Sequence, residues 1–129
     1  MKSSTHEWLA HAKEDLQAAE VLLQAANLTN LAAFHAQQAV EKTLKAVLEE
    51  NNHNLVRTHS LMRLYGIVRS LISITIDENL LDQLDSVYTE TRYPGAVGLL
   101  PYGKPTIVQS QQFLRFAQNL FEQISLLIT

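Results

Sequence analysis

A chain of 129 residues, 47% hydrophobic and 18% charged, is long and apolar enough for one folded domain, residues 1–129, and is not a disordered polymer. Its net charge of −3 excludes a protein that coats nucleic acid through bulk charge, and the absence of cysteine excludes disulfides and thiolate chemistry. No stretch reaches the roughly 18–20 apolar residues of a membrane span, and the first residues, MKSSTHEWLAHAKED, hold no apolar signal core, so a cytoplasmic location without membrane contact is expected.

Projection at about 100° per residue predicts helix 1 from about Thr5 to Ala26. Ser4 and Glu7 have the spacing of a capping box. Trp8, Leu9, Ala12, Leu16, Ala19, Leu22, Leu23 and Ala26 share one face, and Asp15 falls in the same arc. Helix 2 begins after Asn27, with Thr29 or Asn30 as its N-cap, and ends near Asn51. Its apolar arc is Ala33, Phe34, Ala36, Val40, Leu44, Val47 and Leu48, with Gln37 and Glu41 inside it. A polar ridge of His35, Gln38, Lys42 and Lys45 flanks that arc.

Asn51–Asn54 reads as a loop, and helix 3 starts near Thr58 and carries its apolar face as far as Ile72. From Ser70 to Ile76 the pattern is ambiguous, because Ile72, Ile74 and Ile76 alternate as in a strand. A lone short strand has no neighbour in sequence to pair with, so a helix end followed by an extended link is expected. Helix 4 runs from its N-cap Asp77 to about Thr91. All three prolines and three of the four glycines fall between Arg92 and Pro105, the one long loop. Helix 5, from about Thr106, is the cleanest amphipathic segment. The fold class is therefore all-α, an antiparallel up-and-down bundle of about five helices. Its wide apolar faces on helices 1 and 5 suggest a homodimer.

Asp15, Gln37 and Glu41 are the polar intruders, forming a buried polar network. Buried acids need cationic partners or they are forced neutral. Arg57, His59 and Arg92 are the candidates, with arginine favoured for its planar fork. The cluster reads either as a structural network or as the floor of a cleft for an anionic ligand such as a nucleotide. Lys42 and Lys45, with Gln38 a turn before, read either as a solvated face or as phosphate contacts. Tyr93, restricted to extended geometry by Pro94, reads either as turn packing or as a stacking platform. No metal site is expected: His6 and His11 lack a third ligand, and neither a zinc motif nor a glycine-rich phosphate loop occurs.

Four stretches together resemble a known family. They are Trp8-Leu9 with Ala12, Asp15, Leu16 and Ala19; the core FHAQQAVEKTLKA from Phe34 to Ala46; Thr58-His59 with Leu61; and Arg92-Tyr93-Pro94. In this order they resemble the HEPN domain, named for higher eukaryotes and prokaryotes nucleotide-binding, over most of the chain. The resemblance implies an all-α bundle, usually dimeric, related to the helical C-terminal domain of kanamycin nucleotidyltransferase. It also implies a separate minimal nucleotidyltransferase as partner, commonly in a toxin–antitoxin pair. Many members are metal-independent ribonucleases that use an arginine and a histidine four to six residues apart. Here no arginine is followed by a histidine at that spacing, and Arg57 and His59 have one residue between them. No catalytic residue is carried over. Three readings are set side by side: a nucleotide- or partner-binding module, a ribonuclease with a degenerate site, and a structural assembly subunit. The ligand-site candidates are Gln38, Lys42, Lys45, Arg57, His59, Arg92 and Tyr93, for ATP, a related nucleotide or RNA, with no resident cofactor.

Overall fold

Alanine decides which helices pack closest. Ala12 and Ala19 on one helix and Ala32, Ala33, Ala36 and Ala39 on the next all have almost no exposed surface, and the two helices are the most extensively packed pair of the bundle. These are α1 (Ser3–Leu22) and α2 (Thr29–Glu50). The computed structural model, which describes residues 1–129, continues with α3 (Leu61–Val68), α4 (Glu78–Asp85) and α5 (Ile107–Ile128). The molecule is a helical bundle without strands; one isolated bridge joins Leu100 and Gly103 in the long loop.

α1 and α2 are antiparallel, as the pairing of Ser4 with Glu49 at one end shows. α5 starts beside the start of α2, where Ser110 Oγ donates to the Thr29 carbonyl at 2.8 Å, and it crosses α1 at Gln118 and Glu20. Leu44, Leu61, Leu64, Leu81, Leu84, Phe113, Leu120 and Ile124 form one continuous core across all elements but α1, to which Leu9, Leu16 and Ala19 add. Each fully buried leucine contributes about 2 kcal/mol of transfer free energy.

The expected helix ends are corrected in six places, one of them the end of α3, which falls at Val68 and not near Ile72. α1 starts at Ser3 with no side-chain cap, and Ser4 Oγ donates instead to Glu49 Oε1 at 2.7 Å, so tertiary pairing displaces the Ser4–Glu7 box. α1 ends at Leu22, four residues early, in a series of tight turns through Leu28. The N-cap of α2 is Leu28; Thr29 lies inside the helix, and the Asn30 amide is used on the Val97 carbonyl at 3.1 Å. α3 starts at Leu61, capped by Ser60, because the carboxylate of Asp85, the last residue of α4, accepts from the Leu61 and Met62 N–H groups. A negative group at a helix N-terminus is stabilised by the exposed amides there. α4 stops at Asp85, because Tyr88 N–H pairs with the Leu99 carbonyl across the loop and cannot continue the helix.

At two starts the sequence signals hold. Asp77 caps α4 through the Asn79 and Leu80 amides, and Thr106 with Gln109 forms a full capping box on α5. The Tyr88–Leu99 loop closes on itself and docks on the start of α2. A Cβ at Gly98, φ +82°, would lie 1.7 Å from the Asn30 carbonyl oxygen, so the chain approaches α2 there at a distance only glycine permits.

Candidate functional site

The three polar residues expected on the inner faces of α1 and α2 are buried, Asp15 8% exposed, Gln37 1% and Glu41 4%, and Thr5, Thr29 and Thr43 are buried on the same helices. Helical periodicity places Gln37 and Glu41 one turn apart on α2, and antiparallel packing sets Asp15 of α1 beside His35 and Lys42. One Asp15 oxygen bonds His35 Nδ1 at 2.9 Å and the other accepts from Lys42 Nζ at 2.7 Å. Burial pushes this carboxyl upward, but the hydrogen bonds and charges of His35 and Lys42 outweigh it and hold it below its ordinary value.

Glu41 is a second node. Its Oε2 accepts from Lys45 Nζ at 3.1 Å, one turn along the same helix, and its Oε1 meets His59 Nδ1 at 3.0 Å. Gln37 Nε2 donates to the His59 carbonyl at 3.2 Å, and Gln38 Nε2 donates to Gln37 Oε1 at 2.8 Å. The loop before α3 is thus clamped to α2 by side chain and backbone of one residue. The His59 imidazole is otherwise open, 72% exposed, with its second ring nitrogen free of the clamp.

Of the three cations expected to partner the buried acids, His59 does so, while Arg57 and Arg92 do not. Arg57 is exposed and forms no ion pair, and Arg92 is 71% exposed, bonds Glu90 at 3.0 Å and lies over the Tyr93 ring at 5.6 Å. The charge on Asp15 and Glu41 is met instead by the ridge lysines, Lys42 and Lys45. A flexible lysine on the same or adjacent helix turn reaches a carboxylate at less conformational cost than an arginine on a distant loop. The Arg92–Tyr93 pair is therefore not brought against Lys42 and Lys45. Its loop docks at Asn30, twelve residues and about 18 Å of helix axis before Lys42.

The ridge has a different neighbour, one that sequence reading placed among core residues. The Trp8 indole is half-exposed and lies 5.8 Å from Lys45 Nζ. With Ser4, Glu7, His11 and Lys42 it lines a shallow groove of about 340 Å³ between α1 and α2. The signal that could have found it is the spacing of Trp8 and His11 on α1, facing the lysines of an antiparallel α2. No group of three or more histidine, aspartate or glutamate side chains is placed to hold a metal ion.

Fold and site together define an α-helical bundle whose first two helices are cross-linked by the contacts of Asp15 with His35 and Lys42, beside a shallow groove lined by Trp8, His11, Glu7 and Lys42. The HEPN domain model matches residues 5–126, and the chain belongs to the HEPN family. It is similar over its whole length to the crystal structure of an archaeal HEPN homologue, with 25% identity, both chains covered completely and a TM-score of 0.70. A HEPN domain protein of Thermotoga maritima is 25% identical, with 95% of this chain and 97% of that one covered and a TM-score of 0.70. A protein of Thermus thermophilus, 23% identical with 96% and 98% covered, has the same fold at a TM-score of 0.71. No curated protein matches significantly. No helix is long and apolar enough to cross a membrane.

Proposed function

We propose that the chain is a HEPN module that binds a nucleotide at the α1–α2 groove and works beside a separate minimal nucleotidyltransferase chain, as part of a toxin–antitoxin pair, in the cytoplasm and as a homodimer. The observation that carries the nucleotide reading is Lys42, which lines the groove with Ser4, Glu7, Trp8 and His11 and whose ammonium is bonded to Asp15. An indole face takes a base by stacking, and an ammonium takes a phosphate as a point charge. Lys45 lies beside the groove, its Nζ 5.8 Å from the Trp8 ring, while Gln38, His35, Arg57, Arg92 and Tyr93 are not among the residues that line it. Calorimetric titration of the intact chain with ATP, with and without magnesium, tests the reading. Heat that disappears in Trp8→Ala and in Lys42→Ala supports it, and no heat at millimolar ATP sinks it.

A second reading rests on His59. Its Nδ1 is held by the Glu41 carboxylate while the rest of the ring faces solvent, the arrangement in which a carboxylate orients an imidazole for proton transfer. Arg57, two residues earlier, would supply the positive charge of a degenerate metal-independent ribonuclease site. Incubation with total RNA in EDTA decides: cleavage lost in His59→Ala supports the enzyme, and intact RNA counts against it.

A further inference from the structure

The link between α3 and α4 keeps the alternation of a strand. Ile72, Ile74 and Ile76 are half-buried against the core, while Ser73 and Thr75 face outward. The N–H and C=O groups of Ser73, Ile74, Thr75 and Ile76 make no hydrogen bond with any other part of the chain. In a strand these are the groups that pair with a neighbour.

Thr75 and Ile76 border a groove of about 600 Å³ that continues between α4 and α5 over a floor of Leu80, Phe116 and Leu120. Five carboxamides line it: Asn79 and Gln83 from α4, and Gln112, Asn119 and Gln123 from α5. None is engaged by another protein group; Gln83 uses only its backbone carbonyl, for Ser86. Arg115 lines the same groove without a carboxylate partner. Asp77, the one acid in the lining, is occupied in capping α4.

We propose that Ser73–Ile76 is a docking edge for an extended, acidic peptide segment of another protein, which adds as a strand to this backbone and lies in the carboxamide groove. A carboxamide offers both a donor and an acceptor, as a peptide bond does, so a lining of five suits a polypeptide backbone. The unpaired guanidinium sets the side-chain requirement, a carboxylate taken in two parallel hydrogen bonds. A nucleic-acid strand carries a charge at every phosphate, and one arginine does not match it. A second copy pairing on the same edge would bring two Arg115 side chains together with no free acid in the lining to meet them. The groove shares no residue with the α1–α2 site, so this inference is independent of the nucleotide reading.

Panning a phage library of random octapeptides on the intact chain tests it. Enriched sequences are expected to alternate apolar residues around an Asp or Glu. The best synthetic peptide should shift the backbone amide resonances of Ser73–Ile76 and the side-chain amides of the groove. Binding by anisotropy should weaken at least tenfold in Arg115→Glu and when the peptide is N-methylated at alternate backbone nitrogens. Thr75→Pro, at an exposed position whose N–H is unused, should block pairing while the circular dichroism of the bundle persists. Because Arg115→Glu and N-methylation do not touch the link, they decide the matter even if the proline variant misfolds. No enrichment, enrichment without an acid, or binding indifferent to both changes overturns the proposal. So does a dimer of this chain that Thr75→Pro dissolves, which would put a second copy on the edge.

Discussion

Asp15 of α1 and Lys42 of α2 are joined at 2.7 Å across the tightest helix pair of the bundle, with both side chains drawn away from solvent. The carboxylate also bonds His35, so one acid on α1 anchors two positions of α2 two turns apart. Removing one member of such a group leaves charge buried without a partner, which costs more than the intact pair contributes.

Asp15→Asn should therefore lower stability at neutral pH by about 3 kcal/mol, measured by urea unfolding. The pH dependence has a definite sign. The folded carboxyl titrates below its ordinary value, so its stabilisation is complete above the unfolded pKa and is lost as pH falls through the lower, folded one. The wild type should lose stability steeply on acidification below about pH 4, and the variant should show a flatter acid limb. A limb of unchanged slope would remove Asp15 from the account.

Glu41 and His59 form a pair of unequal members. Glu41→Ala strips a buried acceptor from Lys45 and His59 and should cost about 3 kcal/mol. His59→Ala removes a largely exposed ring and should cost under about 1 kcal/mol, because the Gln37 contact uses the His59 backbone carbonyl and survives. Denaturation midpoints of the two variants measure the difference, and equal losses would mean that the imidazole itself holds the loop.

Gly98 is the position where substitution should do most damage outside the core. Alanine there combines a left-handed backbone with a collision against the Asn30 carbonyl, and a loss of about 3 kcal/mol is expected. Gly95, also left-handed in the same loop but with open space around its Cβ position, should lose about 1 kcal/mol as alanine. A thermal melt of both variants distinguishes collision from backbone preference.

The ends of α1 and α2 meet through Glu50, which accepts from the Lys2 backbone N–H and the Thr5 hydroxyl, each at 3.0 Å. The Lys2 hydrogen bond is the leading cause that holds the Glu50 carboxyl below its ordinary value, against the opposing effect of burial. Glu50→Gln should leave the core intact but speed hydrogen exchange in the first turn of α1, read amide by amide. Protection that does not change there would show that packing of Leu9 alone holds the helix start.

Helical periodicity is enough to show that Asp15, Gln37 and Glu41 sit on inward faces, because a 3.6-residue repeat leaves few places for a residue to go. It is also enough, with Asp77 and Thr106, to start α4 and α5 correctly, since those caps bond only to amides two or three residues away. Ser4, Thr29 and Asn30 do not cap, for the opposite reason. The side chains of Ser4 and Asn30 find partners 45 and 67 residues away, and Thr29 is buried inside α2. No local pattern carries that information.

The linear order of residues by itself determined the helical class, the family, and the burial of Asp15, Gln37 and Glu41 on α1 and α2. Only the tertiary structure decided which cations meet them. Lys42 and Lys45, a polar ridge in the linear pattern, are bound to Asp15 and Glu41, while Arg57 and Arg92 stand in solvent. The physical reason is distance. Side-chain chemistry says that a buried carboxylate requires a cation, but which cation reaches it depends on helix register and loop docking, and those are set by packing in three dimensions. Trp8 beside the lysines, and the unpaired edge of Ser73–Ile76 beside α5, are consequences of the same packing.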